Sequence, residues 1–191
     1  FPVLILPMFF KIEKLERPEL DERLARLAEG TGLSIEGVYR IALSDETVKA
    51  NAMLAGLGRT RRVLLGDTLL AGFNGDEIEV IFAHEIGHHY ERHPLRGLGR
   101  GLVVALFLSA ISGFDVGGYA DRFVEKTAFI GQLSYSRKQE TDSDHIAIDL
   151  LQKKYGHVYG ASEFFKYINN SSEHNNEPPI FLSTHPSTQE R

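Results

Sequence analysis

The stretch "FAHEIGHHYERH" at residues 82–93 crowds histidines and carboxylates into an otherwise apolar run. His84 and His88 are four residues apart, so on a helix they share one face about a turn apart and can hold a single metal ion. Glu85 stands beside them. This H-E-x-x-H spacing suits zinc-assisted hydrolysis, in which two imidazoles bind the metal and the glutamate moves protons instead of binding it. Such a motif also arises by chance in a chain with 8 histidines, so its surroundings have to carry the argument.

A metal that activates water needs a third protein ligand and an open position. The pattern that takes its third ligand from just downstream would need glycine at position 91 and histidine at position 94, where this chain has Glu91 and Pro94. His89 points about 100° around the helix from His88, and His93 precedes a proline, so neither is expected to bind. The better source is "SYSRKQETDSDHIAIDLLQKKYG", 134–156, in which Lys153, Lys154 and Gly156 mark a helix C-terminus. Glu140 and Asp144 lie one turn apart on it. Glu140 can bind zinc while Asp144 accepts the remaining N–H of a ligand histidine and fixes its tautomer. In isolation such a pair reads as a solvated face; beside an upstream H-E-x-x-H it reads as ligand and support.

A chain of 191 residues that is 42% hydrophobic is expected to form one domain, 1–191, large enough to bury a catalytic helix. The net charge of −5 and the absence of any long basic run argue against a nucleic-acid partner. Cysteine is absent, so a zinc ion would have to be held by histidine and carboxylate. Nothing in the composition selects an oligomeric state.

The elements that would position these groups form an α+β, mainly helical plan. Pro18 opens a helix with Leu20, Leu24 and Leu27 as its apolar stripe, and "GTG" at 30–32 ends it. "VYRIALS" (38–44), "ANAMLAG" (50–56) and "RRVLLGD" (61–67) read as three short strands of a small antiparallel sheet. Asn74 and Glu77 form a capping box that starts the H-E-x-x-H helix. Ile78, Ile81, Phe82, Ala83 and Ile86 wrap most of that helix in apolar groups, so it is expected inside the fold with its histidines buried.

Two apolar stretches remain. "FPVLILPMFF" at 1–10 has no polar side chain and fits either a buried strand or a membrane-hugging arm, the tail of a truncated span. "GLVVALFLSAIS" at 101–112 is too short to span as it stands and fits a core helix, a shallow membrane-dipping hairpin or a shortened span.

Four blocks, "NAMLAGLGRTRRVLLGDTLL", "GDEIEVIFAHEIGHH", "YSRKQETDSDHIAIDLL" and "LSTHPSTQER", together resemble the zinc metalloendopeptidases that include the type I CAAX prenyl proteases, HtpX and related quality-control proteases. They run from 51 to 191 and are far more specific than H-E-x-x-H alone. The resemblance implies a zincin-like domain with one Zn2+ held by His84, His88 and Glu140, with Glu85 as catalytic base and Asp144 supporting a ligand histidine. It implies that His185 and Arg191 line the reaction centre. It also favours Asn51 and Ala52 as the contact for an extended peptide, because "ANAMLAG" suits an edge strand; an internal strand is the alternative. Peptides or unfolded proteins would be the substrates.

Integral members of that family commonly carry a long hydrophobic hairpin between the two site helices, where this chain has one short apolar stretch. The expectation is therefore a membrane-associated or soluble protease, or a catalytic domain cut from a longer membrane-associated chain; a periplasmic or other soluble compartment is the alternative. Two rival functions share the fold: a silent zinc-binding, chaperone-like module, and a structural or latent zinc protein with His185 in the fourth position. The intact Glu85 favours hydrolysis, since zinc retention alone needs no base.

Overall fold

The computed structural model describes residues 6–8, 10–44, 51–56, 58–92 and 135–166. In chain order these form β1 (Ile12–Lys14), α1 (Pro18–Ala28), β2 (Ile35–Ile41), β3 (Ala52–Ala55), β4 (Arg61–Gly66), α2 (Asp67–Gly72), α3 (Gly75–Tyr90) and α4 (Arg137–Tyr155), with short 3-10 turns at Leu6–Met8 and Gly58–Thr60. A further helical stretch runs over 161–166. The expected α+β class holds.

Helix α1 begins at Pro18, whose fixed φ suits the first helical position. Leu20, Leu24 and Leu27 form its buried stripe. Asp21, on the same helix, accepts the Val38 N–H at 2.9 Å and ties α1 to β2.

The sheet has the order β1-β2-β4-β3. β1 pairs with β2 and β3 with β4, both antiparallel, but β2 and β4 are parallel, with Val38 opposite Val63 and Tyr39 opposite Leu64. The sheet is therefore mixed, which corrects the expectation of an antiparallel one. β4 returns from β3 through a tight turn in which Gly56 takes φ +104°. It then inserts between β3 and β2, and a strand that runs opposite to β3 must run along β2.

Its central position explains the composition of β4. Val63 and Leu65 face the main core with Val38, the α1 leucines and Ile78, Ile81, Phe82 and Ile86 of α3. Leu64 faces the other way, into a smaller cluster with Ile41, Leu43 and Ala55, against which Phe10, Ile12 and Met53 pack. A strand buried on both faces reads as a continuous apolar run.

The first apolar stretch is described only in part. Met8 is 77% exposed, and the strand that follows, β1, starts beyond the stretch at Ile12. "GLVVALFLSAIS" lies outside the described residues. Among the described residues, no helix is long and apolar enough to cross a membrane.

Helix α3 has the expected capping box. The Asn74 side chain accepts the Asp76 and Glu77 N–H groups at 2.9 and 3.1 Å, and the Glu77 carboxylate accepts the Asn74 N–H at 2.8 Å. Every residue from Ile78 to His88 except Glu85 is buried, so α3 is internal. Helix α4 starts from a second capping box, Ser136 with Gln139, and ends at Gly156 in the left-handed conformation. It packs directly along α3.

Candidate metal centre

His84 and His88 project from one face of α3 towards α4, where Glu140 sits in the first turn. Ligating atoms of the three residues all lie within 4.8 Å of one another. The two Nε2 atoms are 2.9 Å apart, and each is 3.4 Å from a different oxygen of the Glu140 carboxylate. Tetrahedral zinc with bonds of about 2.0–2.1 Å has ligand–ligand edges of about 3.3 Å, close to this triangle.

Burial makes the same point by another route. His84, His88 and Glu140 are 2%, 1% and 0% exposed. A carboxylate taken this far from water is costly unless a positive group meets it. The converging lone pairs of two imidazoles and a carboxylate are the donor set of a divalent metal, so these residues fit the ion.

Asp144 completes the set. Its Oδ1 accepts the His84 Nδ1–H at 2.8 Å, which leaves the His84 Nε2 lone pair facing His88 and Glu140. The i, i+4 spacing on α4 thus delivers the ligand and the group that orients a ligand from opposite ends of one turn. The histidine so supported is His84; the sequence alone had left open which of the two it was.

Other expected residues divide. Glu85, between the ligands in sequence, has one buried carboxylate oxygen. His89 lies outside the ligand cluster; burial, with Arg61 and Arg92 nearby, pushes its pKa below the usual histidine value. His93, His185 and Arg191 lie outside the described residues.

β3 is an edge strand, which removes the alternative of an internal strand for "ANAMLAG". It lies beside α3. The Asn51 carbonyl accepts the Gly66 N–H at 2.8 Å, so the main-chain groups of Asn51 face β4. By antiparallel alternation, those of Ala52 and Leu54 face the open edge.

Three contributors escaped sequence reasoning. Tyr135 stacks on the His88 imidazole with ring centroids 3.9 Å apart and planes 19° from parallel. Burial, reinforced by the Glu85 and Glu140 carboxylates, raises the pKa of its phenol well above the ordinary tyrosine value. Gly87 brings α3 against Ser143 of α4. A glycine inside a helix costs about 1 kcal/mol relative to alanine, and that cost was the available signal of a close approach. Glu79, buried one and a half turns before His84, accepts Arg23 Nη2 at 2.7 Å and the Tyr155 hydroxyl at 2.8 Å, clamping α1, α3 and α4 together.

The solved structure of Ste24p from S. mikatae matches 99% of this chain and 52% of that one, with a TM-score of 0.64 and 26% identity. Among curated proteins, the uncharacterized metalloprotease YhfN of Bacillus subtilis is 26% identical, the match covering 100% of this chain and 50% of the relative. CAAX prenyl protease 1 of Saccharomyces cerevisiae is 30% identical over 74% of this chain and 30% of its own length. The chain thus spans half or less of the length of these curated relatives. The sequence profile of peptidase family M48 runs through residues 14–191, both site helices included, and the chain belongs to that family.

Proposed function

We propose that this chain carries the catalytic domain of a zinc metalloendopeptidase, with His84, His88 and Glu140 holding the metal, and that residues 1–191 act as one unit. The observation that carries the reading is the convergence of both Nε2 atoms on the two oxygens of one buried carboxylate. When bound there, zinc supplies a Lewis acid that polarises a scissile carbonyl and lowers the pKa of a water molecule to roughly 7.

The chain's own groups do the rest. Asp144 holds His84 in the tautomer whose Nε2 is free to bind. Glu85 takes the proton of the attacking water and passes it to the leaving amine. An extended peptide adds to the open side of β3, pairing with the main chain of Ala52 while the Asn51 side chain flanks it. His185 donates to the oxygen on which negative charge develops, and Arg191 fixes that loop or the substrate.

Unfolded or prenylated peptides are the proposed substrates, the second supported by the name of the yeast relative. The apolar stretches at 1–10 and 101–112 support membrane association.

Paired variants test the reading. Glu140→Ala is expected to lower zinc content and abolish hydrolysis of an unfolded protein, whereas Glu85→Gln keeps zinc and loses hydrolysis alone. Wild-type zinc content and activity in Glu140→Ala would remove Glu140 from the site. Full turnover in Glu85→Gln would remove the proposed base.

A further inference from the structure

The two ligand histidines are held in different ways. The His84 ring is pinned through Nδ1 by Asp144. The His88 ring meets His84 edge-on, with centroids 4.6 Å apart and planes at 78°. Its face carries Tyr135, stacked at 3.9 Å. An imidazole on a helix can turn about its Cβ–Cγ bond, and only part of that rotation aims Nε2 at a metal. A ring packed flat against the imidazole restricts the turn, because rotation would drive the imidazole edge into its neighbour.

The placement of Tyr135 follows from α4. Tyr135 immediately precedes Ser136, whose side chain accepts the Gln139 N–H at 3.3 Å while the Gln139 side chain accepts the Ser136 N–H at 2.9 Å. That reciprocal cap sets the path of the chain into the helix. The turn that presents Glu140 to the metal position therefore also delivers the tyrosine to the opposite ligand.

We propose that Tyr135 is a positioning residue for the metal centre: its ring, by stacking on the His88 imidazole, holds Nε2 of His88 towards Glu140 and His84. The aromatic face does this and the hydroxyl is dispensable for it. The proposal rests on the metalloendopeptidase reading above.

The test compares wild type with Tyr135→Leu, which keeps apolar bulk without a flat ring, and Tyr135→Phe, which keeps the ring without the hydroxyl. Zinc affinity is measured by competition with a chelator, and site geometry by the visible spectrum of the cobalt-substituted protein. Tyr135→Leu is expected to weaken zinc binding roughly 3- to 10-fold and to alter the cobalt spectrum, with metal-free thermal unfolding near wild type. Tyr135→Phe is expected to restore both.

Zinc affinity in Tyr135→Leu equal to wild type overturns the proposal, as does a Phe variant as weak as the Leu variant. If Tyr135→Leu does not fold, the wild-type protein decides the matter by NMR: a stacked ring displaces the His88 ring-proton resonances upfield, and their absence from that region overturns the stack. A wild-type chain that binds no zinc would instead sink the functional reading itself.

Discussion

Gly87 and Ser143 are in backbone contact across the two site helices. A Cβ on Gly87 would lie 2.8 Å from both the Cα and the carbonyl oxygen of Ser143, and 3.0 Å from its Cβ. Gly87 lies one residue before His88, and Ser143 is one before Asp144 and three after Glu140. The separation of α3 and α4 at the metal position is thus set by the absence of one methyl group.

Gly87→Ala is expected to push the helices apart. The gain in helix propensity, about 1 kcal/mol, is outweighed by an overpacking cost of roughly 1–3 kcal/mol. Zinc affinity should fall about tenfold, as when groups that orient metal ligands are disturbed. Chelator competition and urea unfolding check both effects; zinc binding as tight as wild type would show that the helices can separate without disturbing Glu140.

The alternation along β3 separates two neighbouring substitutions. Ala52→Pro removes an N–H that faces the open edge and should raise KM while leaving zinc content and melting temperature close to wild type. Met53→Pro removes an N–H that faces β4, where Met53 lies opposite Leu64, and should destabilise the fold by about 3 kcal/mol. Unchanged peptide kinetics in a folded Ala52→Pro protein would argue against strand addition at this edge.

Tyr155 gives the fold an alkaline limit. Burial, and then its hydrogen bond to Glu79, push its phenol up to about 12. A folded pKa above the unfolded value of about 10 means that the folded state holds the proton more tightly. The contribution is complete below about pH 10 and is lost as pH rises towards about 12. Tyr155→Phe should flatten that alkaline decline and cost about 1–2 kcal/mol at neutral pH, because Glu79 loses a donor. Chemical denaturation at pH 7 and pH 11 measures both.

Asp67 works at the other end of the pH scale. Burial raises its pKa, but the Leu43 N–H, the Ser44 hydroxyl and the Thr68 and Ser44 N–H groups outweigh that effect and hold it below the usual carboxylate value. The bonds run from 2.7 to 3.1 Å. A depressed folded pKa gives stability that is present above about pH 4 and lost as pH falls through the folded value. Asp67→Asn should cost about 1–3 kcal/mol at pH 7, with the difference from wild type shrinking on acidification. A deficit that stays constant down to pH 2 would mean that the carboxylate charge contributes nothing.

What the sequence by itself determined is whatever depends on helical spacing and local capping. His84 and His88 share a face because they are four residues apart, as do Glu140 and Asp144, and the Asn74–Glu77 box starts α3 where its residue types require. Intrahelical bonds link residues four apart, so these relations are complete within one element. Only the tertiary structure decided that Asp144 serves His84 and not His88, that Tyr135 covers His88, and that Gly87 meets Ser143. It alone also set the strand order. Three successive short strands are compatible with an antiparallel meander or with β4 inserted between β2 and β3, and the second was selected by non-local packing: β4 buries Val63 and Leu65 on one face and Leu64 on the other, which an edge position could not do. That choice left β3 with an open side next to the metal helix, a property of no single segment of the chain.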